Sequence, residues 1–228
     1  MSNPHPLDRP IWSALSGRLA QFALVQGAAR RMAVDIGIFA DVEDLSEDSR
    51  ADLAKLVAET GEVGLVGTQA PPPIAGTRVT LQDQCWQMVA HDFAAASPEE
   101  VGFVELGEAD APQMLALASL TKPGPYFART HVLGDFIGVK AGGRLVAMAG
   151  ERLRVEGMTE VSGVCTHPEA RGRGYAAALT AIVAGRIRAR GETPFLHVFA
   201  HNKPAIAIYE QLGFRLRCEM QLTGLAAA

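Results

Sequence analysis

Arg171-Gly172-Arg173-Gly174-Tyr175-Ala176 follows a run of strand character, Met158 to Thr166, and a Thr-His-Pro turn. It leads directly into a run of helix character, Ala177 to Arg190. A glycine-rich, doubly basic turn between a strand and a helix suits an anion. Glycine lets the backbone approach a phosphate with no Cβ in the way. The first helical turn leaves N–H groups unpaired, and the helix dipole adds partial positive charge there. Successive N–H groups in such a turn form an anion nest. The stretch therefore points to a pyrophosphate-bearing ligand. A dinucleotide loop is a poorer match, because Gly172-x-Gly174 lacks the third glycine of that fingerprint. No Gly-Lys-Ser/Thr follows to make a nucleotide-binding P-loop.

The rest of the chain sets bounds on the reading. It has 228 residues, 48% of them hydrophobic, enough to build a packed core. Net charge is −4 and no long basic run occurs, which argues against general nucleic-acid binding. Cys85, Cys165 and Cys218 are odd in number and widely spaced, so neither a disulfide framework nor a metal site is indicated. Met1 to Arg9 carries no apolar signal region, and no apolar run is long enough to span a bilayer. The expectation is a cytoplasmic protein with no membrane partner.

Two stretches are expected, 1–97 and 98–228, with Ser97-Pro98-Glu99-Glu100 as the boundary. In the first, Trp12, Leu15, Leu19, Phe22 and Val25 recur at helical spacing. Ala33 to Ala40 reads as a strand, and Ser49 to Glu59 as a helix with Ala51, Leu53, Leu56 and Val57 inward. Val63 and Leu65 suggest another strand, and Arg78 to Ala90 looks extended. In the second stretch, Val101 to Leu106 reads as a strand and Asp110 to Leu120 as a helix. Phe136 to Lys140 and Arg144 to Arg154 form a hairpin around Ala141-Gly142-Gly143. Phe195 to Ala200, Lys203 to Leu212 and Phe214 to Leu222 read as strand, helix and strand, with Gly213 as a helix stop.

Two blocks of the second stretch resemble a known family. One is Val161-Ser162-Gly163-Val164-Cys165-Thr166-His167-Pro168 followed by Arg171-x-x-Gly174-x-Ala176. The other is Asn202-x-x-Ala205-x-x-x-Tyr209-Glu210-x-Leu212-Gly213-Phe214. Together, in this order, they resemble the GNAT superfamily of acetyl-CoA-dependent N-acetyltransferases over about Glu99 to Leu222. The resemblance implies an α/β (α+β) fold, a mixed, mostly antiparallel sheet flanked by helices. A smaller α/β N-terminal domain precedes it, and a degenerate copy of the same fold is one reading of that half.

The resemblance also implies roles. Acetyl-CoA would be the cosubstrate, with no metal. Arg171, Gly172, Arg173, Gly174, Tyr175 and Ala176 would surround its pyrophosphate. Val164, Cys165 and Thr166 would pair through backbone with the pantetheine arm, and Asn202 would brace it from the other side. A primary amine would attack the thioester directly in a ternary complex. A free lysine amine has a pKa of about 10.4, so a base or desolvation must remove its proton. Glu160, eleven positions before Arg171, matches the glutamate some members use as base. A carboxylate on an otherwise apolar strand also calls for a partner or a wet cavity, and an arginine such as Arg152 is the alternative. Tyr209 is the candidate acid for the departing thiolate. A Cys165 nucleophile is disfavoured, since no orienting group is apparent beside it. The acceptor stays open among small amines, peptide N-termini and protein lysines. Thr121 to His131, with Tyr126 and Phe127, is the expected acceptor loop. A longer acyl donor and a non-catalytic CoA sensor are the alternative functions.

Overall fold

The computed structural model describes residues 5–91 and 102–228. The expected boundary at Ser97 to Glu100 lies outside these described residues. A small antiparallel sheet, ordered β1-β2-β3, is built from Ala23–Gln26 (β1), Ala29–Met32 (β2) and Ala40–Val42 (β3). Two helices accompany it, Pro10–Leu15 (α1) and Glu47–Thr60 (α2). Ser46 caps α2 by accepting from the Ser49 N–H, and Glu47 and Asp48 favour its positive end. Leu53, Leu56 and Val57 are buried as expected, whereas Ala51 is exposed.

The first helix is shorter than its apolar spacing predicts. It stops at Leu15, because Ser16 and Gly17 turn the chain, and a Cβ on Gly17 would lie 2.8 Å from the Ser13 carbonyl oxygen. Phe22 and Val25 then fall in a short 3-10 turn and in β1. The strand expected over Ala33 to Ala40 is likewise a turn, closed by Ile36 and Gly37 N–H groups donating to the Ala33 carbonyl.

The remaining strands form one eight-stranded sheet, ordered β4-β11-β5-β10-β9-β8-β7-β6. They are Val63–Gly67 (β4), Thr77–Val89 (β5), Val104–Leu106 (β6), Phe136–Ala141 (β7), Arg144–Val155 (β8), Met158–Thr166 (β9), Thr193–Phe199 (β10) and Arg215–Ala227 (β11). Helices Ala111–Thr121 (α3), Tyr175–Ala189 (α4) and Lys203–Gln211 (α5) connect them. Of the pairings between the described strands of this sheet, β9 with β10 is parallel and the others are antiparallel. The sheet is continuous across the two expected stretches, since β5 sits between β10 and β11.

Alternation along β10 divides the core. Leu196 and Val198 point to the side of α4 and α5, packing with Leu179, Val183, Ile187 and Ile206. Phe195 points to the other side, where Leu7, Ile11 and Leu15 pack on Leu153 and Val155. Helix α3 covers a neighbouring part of the sheet through Met114 and Leu117, against Phe136 and Met148.

Candidate active site

Strands β9 and β10 pair only over Met158–Glu160 against Thr193–Phe195. Beyond Phe195 and Glu160 they have no common ladder. Val161 to Thr166 and Val198 to Phe199 instead border a cavity of about 740 Å³. A bulge marks the same place on β9. The register with β8 shifts between Met148–Cys165 and Gly150–Ser162, and Gly163 takes φ 64. A Cβ there would stand 2.9 Å from Phe136 Cε1. Glycine therefore permits both the backbone angle and the close packing.

The glycine turn forms one end of the cavity. Gly172 and Gly174 have φ 77 and φ 76, and a Cβ added at either position would meet nothing within 4 Å. Backbone conformation, not crowding, is what glycine supplies here. Gly174 stands at the N-cap of α4 with no side chain capping it, so the first N–H groups of a 15-residue helix remain free to face a ligand. Arg171 and Arg173 border the same space. Two hydroxyls near it, Tyr126 Oη and Thr166 Oγ1, are sealed from solvent without a hydrogen-bond partner. The open nest, the two guanidinium groups and these orphaned hydroxyls fit a long polar ligand with an anionic end.

All ten residues expected to bind cofactor border the cavity, and so does Tyr209. Asn202 has a second task, since its Oδ1 accepts from Ala205 N–H and caps α5. Burial, with Cys165 nearby, pushes the Tyr209 phenol up to about 12. It is therefore protonated and able to donate at neutral pH. Burial likewise raises the Cys165 thiol to about 11, which keeps it from being a thiolate nucleophile. The expected acceptor loop contributes Thr121 to Tyr126 and Thr130 to the lining, but Phe127 does not border it.

Glu160 is placed differently from Tyr209. It is fully buried and does not border the cavity, whereas Arg152 and His197 do. Its Oε2 accepts from Arg152 Nε at 2.9 Å and from the Leu153 N–H at 3.2 Å. Its Oε1 accepts from Arg152 Nη2 at 2.7 Å and contacts His197 Nδ1 at 2.8 Å. Burial alone would raise its pKa, but the Arg152 charge and hydrogen bonds, helped by His197, outweigh that and hold it at about 2. The β8 register supplies the geometry. It shifts between Glu151–Val161 and Arg154–Thr159, so Arg152 and Leu153 together oppose Glu160.

The far end of the cavity comes from residues that no motif marked. Ile11, Phe39, Val66 and Leu222 form apolar walls, with Cys85 and His197 beside them. His197 Nε2 lies 3.1 Å from Gln87 Nε2 of β5, whose amide also donates to the Leu7 carbonyl. The signal that could have marked this end is Arg152, an arginine within a mostly apolar strand.

The family model for FR47-like protein matches residues 136–222. No curated protein matches the chain. Among solved structures, a GNAT-family protein from Novosphingobium aromaticivorans, itself assigned as an acetyltransferase, is 44% identical. It superposes with a TM-score of 0.91 over 99% of this chain and 100% of its own. A GCN5-related N-acetyltransferase from Kribbella flavida is 19% identical, with a TM-score of 0.66 over 94% of this chain and 93% of its own. A GCN5-related N-acetyltransferase-like protein from Streptococcus suis is 16% identical, with a TM-score of 0.58 over 96% and 92%. The last two share the fold, and all three matches extend through the N-terminal stretch.

Proposed function

The chain belongs to the GNAT family, and on that premise we propose that it transfers the acetyl group of acetyl-CoA to a primary amine in a ternary complex. The observation that carries the reading is one continuous cavity joining the glycine turn, the opened edge of β9 and the Tyr209 phenol. Bound acetyl-CoA would supply an activated thioester. The nest at Arg171 to Ala176 would hold its pyrophosphate. The unpaired edge at Val164 to Thr166 would align its pantetheine arm as an added strand. Tyr209 would donate to the departing sulfur.

Glu160 enters this scheme through the groups it holds. Its carboxylate fixes Arg152 and His197 at the cavity wall and has no free lone pair aimed at an amine. The wall itself favours the uncharged amine. Lys122, Arg152, Arg171 and Arg173 border the cavity, and no carboxylate does among the described residues. Nearby positive charge and desolvation both lower an ammonium pKa. We further propose that residues 1–97 are an accessory unit whose task is the far wall of the cavity. A cytoplasmic setting accords with three free cysteines.

The test is calorimetric binding of acetyl-CoA together with thiol release across a panel of amines. Binding with release on at least one amine supports the proposal. Binding without release on any amine favours a CoA sensor, and faster release from a longer acyl-CoA favours a different donor.

A further inference from the structure

The acceptor end has a chemical character of its own. Arg152 reaches it from β8 with its guanidinium carbon 4.7 Å from the centre of the Phe39 ring. Glu160 occupies the edge formed by Nε and Nη2. A guanidinium has five donors and two usable forks. The second fork, Nη1 with the outer Nη2 hydrogen, has no partner among the described residues. Arg152 borders the cavity, and its side chain is 11% exposed. Phe39 stands against this guanidinium, and Ile11, Val66 and Leu222, which share its apolar cluster, border the same cavity.

The position is also opposite the cofactor's anionic end. Glu160 faces Arg152 at the root of the opening between β9 and β10, six residues before Thr166. At about 3.3 Å per residue, that is roughly 20 Å of strand. A donor seated on the glycine turn and running along β9 would direct its reactive end toward this root.

We propose that the acceptor is an amine bearing a carboxylate and an apolar side group, an apolar α-amino acid in its simplest form, with the carboxylate seated on the free fork of Arg152. This rests on the acetyl-transfer reading and adds the acceptor class to it. A bidentate carboxylate fits the vacant donors, and the apolar walls fit the side group. A polycationic acceptor meets the Arg152 charge and finds no carboxylate in the lining among the described residues. An acceptor with no anionic group leaves the fork unused.

The experiment uses the full chain with acetyl-CoA and four acceptors: phenylalanine, phenylalanine amide, phenethylamine and spermidine. Rates of thiol release are normalised to the free-amine fraction. Phenylalanine is expected to exceed the amide and phenethylamine in kcat/KM by about 10- to 100-fold, the range for a hydrogen-bonded charge. Spermidine is expected to be the poorest. The paired variant Arg152→Met/Glu160→Gln, which strands no buried charge, is expected to reduce the phenylalanine-to-phenethylamine ratio at least 10-fold through KM. Its acetyl-CoA binding reports that it is folded. Equal or better use of phenethylamine or spermidine by the unaltered protein overturns the inference while leaving acetyl transfer intact. If no amine releases thiol, the transfer reading fails, and N-acetylphenylalanine and N-acetylphenethylamine are compared for binding to the CoA complex. Tighter binding of the carboxylate still supports the site, and equal binding overturns it.

Discussion

Replacing Glu160 with glutamine separates a structural carboxylate from a catalytic base. The wild-type carboxyl is completely buried and is held at about 2 against a usual 4.5. That difference corresponds to about 3 kcal/mol of folded-state preference for the anion. Because the folded pKa lies below the unfolded one, this stabilisation is complete above pH 4.5 and is lost as pH falls toward 2. A second route gives a similar size: removing one partner of a buried ion pair costs about 3–5 kcal/mol. The hydrogen bonds say why glutamine is a poor substitute. Both carboxylate oxygens accept from two donors, so either amide orientation turns an NH2 group toward Arg152 and one further donor. For a chain of 228 residues, about 3 kcal/mol lowers Tm by roughly 6–12 °C. Urea unfolding at pH 7 and at pH 3 measures the effect. Glu160→Gln should lose about 3 kcal/mol at pH 7 and less at pH 3, and adding Arg152→Met should restore much of the loss. The reasoning fails if Glu160→Gln unfolds within 1 kcal/mol of wild type while kcat falls at least about 100-fold and the acidic limb of the rate profile disappears. That result would make Glu160 the base itself.

Other outcomes follow from single contacts. Tyr209→Phe removes one hydroxyl and keeps the ring against Phe214, so stability should hold while kcat falls about 100-fold, the low end for an acid catalyst; an unchanged kcat would reduce the tyrosine to packing. Gly174→Ala asks alanine to hold φ 76, a cost of about 1–2 kcal/mol, and acetyl-CoA affinity by calorimetry should weaken about 10-fold. Cys165→Ala removes a thiol that burial keeps protonated, so turnover should stay within a few-fold and intact-mass spectra of wild type should show no acetylated enzyme during turnover. A chain cut to residues 102–228 leaves β10 and β11 without the strand between them, and circular dichroism should show no cooperative unfolding transition.

The second stretch was legible because its punctuation is local. Gly157, the Gly142-Gly143 turn and Gly191 end elements by their own backbone angles, at φ 67, 57, 79 and 79, and the strand at Met158–Thr166 matched its pattern to the residue. The first stretch was less legible for a physical reason. Leu15, Leu19 and Phe22 are apolar at helical intervals, yet they join one core from either side of a turn at Gly17, Leu15 and Leu19 buried and Phe22 half-buried. Apolar spacing records that residues face a core, and it does not record that one helix carries them. The placement of β5 was beyond reach altogether. Its partners β10 and β11 lie more than a hundred residues along the chain, and an extended run does not name its neighbours.

The two ends of the cavity differ in the same way, and this decides how far a motif can reach. The proposed anion end is made by consecutive residues, with positive φ at Gly172 and Gly174 and uncapped first N–H groups of α4, so six letters of sequence describe it. The proposed acceptor end is made by Ile11, Phe39, Val66, Arg152 and Leu222, brought together from five separate places in the chain. Glu160 stands at the junction of the two. Its spacing from Arg171 resembles that of the base in some family members, and a carboxylate on an apolar strand separately calls for a partner or a wet cavity. The reason visible in the fold is Arg152, Leu153 and His197 together, which satisfy the carboxylate and leave one guanidinium fork facing the cavity. In the proposed site the same spacing would serve acceptor choice: the carboxylate holds the arginine, and the arginine would present the charge that an incoming substrate meets.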